Sequence, residues 1–379
     1  MLRALPVALS LLSLVSPAMA QQEPHVGTTP NAANDAKTEP WVEYAGSAGV
    51  GMGKRIVFVT GDEEYRSEQG MPQLARILAR LGCHCRVLFA IDPATGTIDP
   101  GVRDNIPGLA ALDGADLMVL FTRFRDLPDA QMRHLVDYVE SGRPIVALRT
   151  ATHAFAAQQH RTFASWSWNA KEWDGGFGRQ VLGETWIAHH GAHGSQSARG
   201  VVAPGAQAHP ILRGFVPGSV WDPADVYAVR LPLPPSCEPV LLGQVLAGMT
   251  KDAEPAPPTT NEQGARRDLN APMMPLAWTN TYRSPADKVA PGDKVAPGGK
   301  VARVFTTTLG SAQAFEHEGS RRLLVNACLW ALGLEQAITP DLDVSLAGTF
   351  APTPFGFGTH TKGVRPADLA WQPPTATTK

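Results

Sequence analysis

Pro144-Ile-Val-Ala-Leu-Arg-Thr-Ala-Thr-His153 decides how this chain is read. A short apolar run, 144–148, leads straight into Arg149 and His153. Runs of this length bounded by turn signals mark strands buried on both faces. Three similar runs precede it: Arg55-Ile-Val-Phe-Val-Thr60 ending at Gly61, Arg86-Val-Leu-Phe-Ala90, and Asp116-Leu-Met-Val-Leu-Phe121. Between them, helical spacing of Leu74, Ile77, Leu78 and Leu81 predicts a helix over 74–81 that stops at Gly82. Met132, Leu135, Val136 and Val139 predict another over 129–140. Strand–helix alternation with near-continuous apolar strands predicts an α/β fold, its mainly parallel sheet covered on both faces.

Further along, residues 149–200 are rich in Gly, Trp and His and read as a long functional insertion. Strands are predicted over 226–229, 239–243, 274–278 and 301–308, and a helix over 321–334. Residues 251–271 read as irregular. Asp287-Lys-Val-Ala-Pro-Gly292 is repeated as Asp293-Lys-Val-Ala-Pro-Gly298, a duplication that reads as an expanded surface loop. A Pro-rich extension, 335–379, is expected to wrap the domain. At the other end, Met1-Leu-Arg-Ala-Leu-Pro-Val-Ala-Leu-Ser-Leu-Leu-Ser-Leu-Val-Ser-Pro-Ala-Met-Ala20 reads as a secretory signal cleaved after Ala20. Its apolar stretch is too short to span a bilayer, and no other segment is apolar enough. Residues 21–53 read as an exposed, flexible leader, and 54–334 as the folded domain. A periplasmic or secreted location follows.

The 379 residues suit two domains, or one α/β domain with insertions and tails. A net charge of −2 argues against a large nucleic-acid footprint. Four cysteines, Cys83, Cys85, Cys237 and Cys328, are too few for a disulfide scaffold and read as buried free thiols.

In a parallel sheet, ligands bind outside the carboxyl ends of the strands. Here those ends carry Gly61-Asp-Glu-Glu-Tyr-Arg66, Arg123-Phe-Arg125 and Arg149-Thr-Ala-Thr-His153. A buried strand feeding into Arg149 needs a counter-charge. Either Arg149 serves the chemistry, stabilising a developing oxyanion, or it is glue to Asp62, Glu63 or Glu64. His153 is a candidate acid or base. Asp225 and Tyr227 in Asp222-Pro-Ala-Asp-Val-Tyr-Ala228 complete the catalytic candidates, Asp225 as an orienting group or an edge salt bridge. Asp62, Glu64, Arg123, Trp168 and Trp186 are candidates for substrate contact, the indoles through stacking on sugar rings. Trp166, Trp168, Trp173, Phe177 and Trp186 crowd the insertion, and most of them read as its own small core, with one or two lining a pocket. His189, His190 and His193 lie close enough to share a divalent metal, to form a sugar or anion site, or to be surface loop histidines. No other cofactor is indicated. Gly175-Gly-Phe-Gly178 is off the dinucleotide spacing and reads as a tight turn or a close backbone approach. No G-x-S-x-G elbow, Walker loop or H-E-x-x-H is present.

Seven blocks in order resemble the ThuA-like (trehalose-utilisation) family, especially an exported subgroup: Gly142-Arg-Pro-Ile-Val-Ala-Leu-Arg-Thr-Ala-Thr-His153, His189-His-Gly-Ala-His193, His209-Pro-Ile-Leu-Arg-Gly214, Asp225-Val-Tyr227, Met274-Pro-Leu-Ala-Trp278, Arg303-Val-Phe-Thr-Thr-Thr-Leu-Gly310 and Arg321-Arg-Leu-Leu-Val-Asn-Ala-Cys-Leu-Trp330. The resemblance implies a flavodoxin-like, class I glutamine amidotransferase-like three-layer sandwich. It also implies work on carbohydrates, disaccharides or keto-glycosides. Glutaminases of this fold place a cysteine after the strand equivalent to 144–148. Arg149-Thr150-Ala151 stands there instead, so glutamine hydrolysis is not expected. Thr150 has no evident base. The alternatives to acid–base chemistry on a sugar are a non-catalytic saccharide binder and a metal-dependent hydrolase.

Overall fold

A computed structural model of the chain describes residues 39–285 and 299–373. The N-terminal stretch read as a secretory signal and the duplication at 287–298 lie outside the described residues. A ten-stranded sheet organises the molecule. Its strands are β1 (Trp41–Ala45), β2 (Arg55–Gly61), β3 (His84–Leu88), β4 (Leu117–Thr122), β5 (Ile145–Leu148), β7 (Ala198–Val202), β8 (Trp221–Asp222), β10 (Cys237–Val245), β13 (Met274–Arg283) and β14 (Val301–Thr307). The spatial order is β1-β3-β2-β4-β5-β14-β13-β10-β7-β8. Strands β3, β2, β4, β5 and β14 run parallel. All other pairings in this sheet are antiparallel, so the sheet is mixed, with a parallel centre and antiparallel flanks. Two small pairs stand apart: β6 (Ala188–His190) with β9 (Val226–Ala228), and β11 (Thr259–Thr260) with β12 (Arg266–Arg267) in the region read as irregular.

The two-residue period of each central strand loads both faces. Ile56 and Phe58 enter one core with Val119, Phe121, Val146 and Leu148, while Val57 and Val59 enter the other with Met118, Leu120, Ile145 and Ala147. Helices α1 (Ser67–Arg80) and α4 (Glu318–Ala331) cover the first face, and α2 (Asp129–Glu140) with α3 (Gly176–Gln180) the second. The helix layers are sparse, completed by 3-10 turns and loops. Helix α1 begins seven residues before the predicted start and takes in Gly70 and Pro72, residue types that disfavour helix interiors. Gly70 is instead a contact point, where a Cβ would sit 3.0 Å from the Phe315 ring.

Residues 41–45, read as part of a flexible leader, form edge strand β1, paired antiparallel with β3. Tyr44 is fully buried there, and its hydroxyl donates to Leu369 O at 2.8 Å. The C-terminal extension packs along the α1–α4 face, burying Ile338, Val344 and Ala347 and resting Phe350, Phe355 and Trp371 on the core. All four cysteines are free and buried. No helix among the described residues is long and apolar enough to cross a membrane.

If β1 belongs to the fold, Tyr44→Ala should destabilise the protein by about 3–5 kcal/mol in urea denaturation. A change below about 0.5 kcal/mol would return residues 41–45 to a dispensable leader.

Candidate functional site

Among the described residues, three non-glycine residues adopt left-handed backbone: Arg66 (φ 62°), Phe124 (φ 48°) and Arg149 (φ 46°). They follow β2, β4 and β5, at the carboxyl edge of the parallel strands. Such conformations cost on the order of 1–3 kcal/mol each and concentrate where a fold must aim side chains. Arg149 opens a 3-10 turn, Arg149–His153, directly on the end of β5. Helix α3 presses on this turn. A Cβ on Gly178 would lie 2.2 Å from Thr152 O, and one on Gly176 2.0 Å from Ser167 O, which accounts for the glycine run by close backbone approach.

Arg149 is fully buried. Its partner is Asp225, at 3.0 Å between Nη2 and Oδ1, rather than any carboxylate of the Gly61–Arg66 loop. Nη1 donates to Asp225 O and, at 2.6 Å, to Thr308 O. The guanidinium lies between the rings of Tyr65 and Tyr227, 4.2 Å from each centroid. It is therefore a clamp that joins the β5 turn to the loop before β9. Tyr227 belongs to the clamp and is itself buried.

Asp225 collects three cations or donors. Its Oδ1 accepts from Arg149 and, at 3.0 Å, from His193 Nδ1, while Oδ2 accepts from His189 Nδ1 at 2.8 Å. Burial alone would raise its pKa. The hydrogen bonds from His189 and His193 and the charge of Arg149 outweigh burial and hold the carboxyl well below the usual range. His193 also reaches Glu64, with Nε2 3.0 Å from Oε1. With a carboxylate at each ring nitrogen, His193 is an imidazolium. The hydrogen bonds to Asp225 and Glu64 push its pKa up to about 9 against the cost of burial. Burial works against ionised Glu64, and His193 with Arg123 reverses that to a lowered pKa. The glycines flanking this loop, Gly191 (φ 140°) and Gly194 (φ 75°), take backbone that other residues rarely adopt.

His189 lies opposite Tyr227 in the β6–β9 pair. His190, the next residue, points the other way, its Nε2 donating to Leu269 O at 2.7 Å. The structure thus removes His190 from the expected histidine trio and puts Asp225 in its place. Among the described residues, His189, His193 and Asp225 are the group able to hold a metal ion.

His153 is buried at 2% exposure, in a wall of aromatic rings: Phe124 at 4.8 Å, Trp186 at 5.0 Å and Tyr227 at 5.6 Å between centroids. Trp168 continues that wall, 5.7 Å from Phe124 and 5.6 Å from Trp186. Thr152 Oγ1 donates to Arg149 O, so His153 Nδ1, 3.2 Å away, is the donor to Thr152. Burial first, then the charges of Arg123 and Arg149, hold the His153 pKa well below its ordinary value. It is a neutral imidazole with no carboxylate partner among the described residues.

Asp62 is not at the surface of the site. Its carboxylate is fully buried, accepting from Thr150 Oγ1 at 2.5 Å and from the N–H groups of Glu64 and Tyr65. Thr150 does have a carboxylate beside it, but both side chains are inaccessible. Arg123 is partly exposed, 2.7 Å from Glu63 and 3.7 Å from Glu64. Trp166, Trp173 and Phe177 pack on one another, as expected of the insertion's own core.

Sequence reasoning missed Tyr65, Phe124, Phe355 and Phe357. Tyr65 and Phe124 sit inside the charged strand-end segments and were legible only as neighbours of charge. Phe355 and Phe357 lie in the extension, where Pro354-Phe-Gly-Phe-Gly358 was the available signal.

Replacing Arg149 by Met should strand the Asp225 carboxylate and cost about 3–5 kcal/mol in chemical denaturation. A loss under about 1 kcal/mol would show that the pair does not hold the site together. His193 gives a pH signature. Its folded pKa, about 9, lies above the ordinary 6.5, so its stabilisation is complete below pH 6.5 and is lost as pH rises through about 9. The melting-temperature gap between wild type and His193→Gln should therefore narrow across that window. A constant gap contradicts the bridging imidazolium.

No protein-family profile matches the chain, and no curated protein matches it. Solved structures do. One, described as a ThuA-like protein from Parabacteroides merdae, aligns with a TM-score of 0.41 at 16% identity, covering 74% of this chain and 90% of its own. A second, described as ThuA-like and from Bacteroides uniformis, gives 0.42 at 14% identity, covering 78% of this chain and 98% of its own. The chain is similar in structure to proteins described as ThuA-like, the family its sequence blocks resemble.

Proposed function

We propose that this protein is an exported enzyme of carbohydrate utilisation that moves a proton on a disaccharide or keto-glycoside, and that it is not a glutaminase. The observation that carries the reading is the sharing of Asp225 by two imidazoles. Asp225 fixes His189 through Nδ1 at 2.8 Å, and His189 Nε2 has no partner among the described residues. With about a third of its side chain exposed, His189 is the group placed to exchange a proton with a bound hydroxyl or with the carbon next to a carbonyl. His193, kept charged by Glu64 and Asp225, supplies a fixed positive field for a developing oxyanion. Arg149 acts through Asp225 as a positioning residue. His153 with Phe124, Trp168 and Trp186 supports the reading as a ring-stacking wall. The elbow position is occupied by a buried arginine, so no thiolate is at hand for amide attack.

One observation favours a second reading. His189, His193 and Asp225 offer ligand atoms that all lie within 4.8 Å of one another, a set that fits a divalent metal bound by two imidazoles and a carboxylate. In that reading His189, His193 and Asp225 would hold the ion, which would supply Lewis-acid polarisation of a sugar oxygen.

Disaccharides and keto-glycosides incubated with the protein and followed by mass spectrometry test the first reading. His189→Ala should lower turnover at least about 100-fold, while His190→Ala should leave it within about twofold. Equal effects of the two variants, or no product from any sugar, sink it. Metal analysis of protein prepared without chelator tests the second. Less than about a tenth of an equivalent of bound zinc, manganese or iron removes the metal.

A further inference from the structure

Arg66 is a fully buried guanidinium with left-handed backbone and no carboxylate within salt-bridge distance among the described residues. Buried arginines are almost always paired. This one gives its donors to the chain's own C-terminal extension. Its Nη2 donates to Gly356 O at 2.6 Å and to Thr359 Oγ1, its Nε to Thr353 Oγ1 at 3.2 Å, and its Nη1 to Glu64 O at 3.3 Å. Glu64 O also accepts from the Gly356 N–H at 2.7 Å. Gln69 adds a two-way pair with Thr353, at 2.8 and 3.1 Å. The segment 353–359 is thus fastened to the loop that carries Glu64.

What this fastening holds in place is a pair of phenyl rings. The Phe355 ring lies 5.4 Å from that of His193 and 5.5 Å from that of Tyr65. Phe357 is 57% exposed. Its ring sits 4.9 Å from the Arg123 guanidinium carbon, whose other neighbour is Phe124 at 4.7 Å. Phe124 in turn belongs to the wall of His153, Trp168 and Trp186. An exposed phenyl therefore continues the aromatic lining outward from the histidine cluster, with an arginine between the two rings.

We infer that the Arg66-fastened segment 353–359 is a fixed wall of the site, in which Phe355 shields and positions His193 and Phe357 binds the apolar face of a ring on the outer part of the ligand. Phe357 would then set specificity for two-ring ligands over one-ring ligands. The outer ring is a second sugar or an aromatic group, and both present the flat apolar face that phenyl stacking needs. This ligand half rests on the carbohydrate reading above. The shielding half does not.

Two measurements separate the halves. Hydroxyl-radical footprinting of His193, which reads solvent access whatever the charge of the ring, followed by tandem mass spectrometry, reads the shield. Phe355→Ala and Arg66→Met should both label several-fold faster than wild type, and labelling rates equal to wild type in both variants overturn the wall. Isothermal titration with trehalose, 4-nitrophenyl β-glucoside and methyl glucoside reads the outer ring. Phe357→Ala should weaken the two-ring probes about tenfold and leave methyl glucoside unchanged. Trehalose and the nitrophenyl probe then say whether a sugar or an aromatic ring is preferred. Equal losses for all three probes, or none, overturn the role of Phe357. If wild type binds no probe, the carbohydrate reading and the Phe357 assignment both fall, while faster labelling of Phe355→Ala still upholds the shield.

Discussion

The buried ion pair between Arg149 and Asp225 is the constraint on which the rest of the site depends. A guanidinium at the end of a central parallel strand is costly to bury, and its desolvation is offset here only by several partners acting together. Asp225 supplies the charge, the carbonyls of Asp225 and Thr308 take further N–H groups, and two tyrosine faces fill the remaining directions. The pair spans 76 residues of sequence, so its formation joins the parallel centre of the sheet to the β6–β9 loop region. Without it, Asp225 could not present one oxygen to each of two histidines.

Charge is arranged around this pair in alternation: Glu64, His193, Asp225, Arg149. Each cation lies between carboxylates or carbonyls, and each carboxylate meets more than one donor. Such a chain keeps its members ionised despite burial, and it distinguishes His193, held charged, from His153, held neutral by an aromatic cage. The two imidazoles thus sit in one region in opposite charge states, each set by its surroundings.

The left-handed residues at the strand ends follow the same logic. Arg66, Phe124 and Arg149 each turn the chain sharply after a central strand, so that side chains face across the carboxyl edge rather than continuing along it. Packing over-determines these strained turns. Helix α3 presses on Arg149–His153, and the C-terminal extension presses on Arg66. The extension, often a dispensable feature of a chain, is here bonded to the loop that carries Glu64.

The parallel centre was legible from sequence because each strand is apolar on both faces and its helices stop before a glycine such as Gly82 or Gly142. Those are local properties, written in periods of two and 3.6 residues. The clustering of charge after the strands, the absence of an elbow cysteine, and His189 and His193 as a close pair were legible for the same reason. Four things were not. That Arg149 chooses Asp225 over Asp62, Glu63 and Glu64 depends on where a distant loop returns. That His189 and not His190 faces the site depends on the register of β6 against β9, since one residue of slip exchanges the faces. That residues 41–45 form an edge strand, and that 353–359 walls the site, depends on partners roughly 40 and 290 residues away, which no local pattern encodes. The sequence by itself determined the sheet and the chemical types at its rim. The tertiary structure alone decided which of those groups meet, because a hydrogen bond between distant residues exists only once the intervening chain has folded.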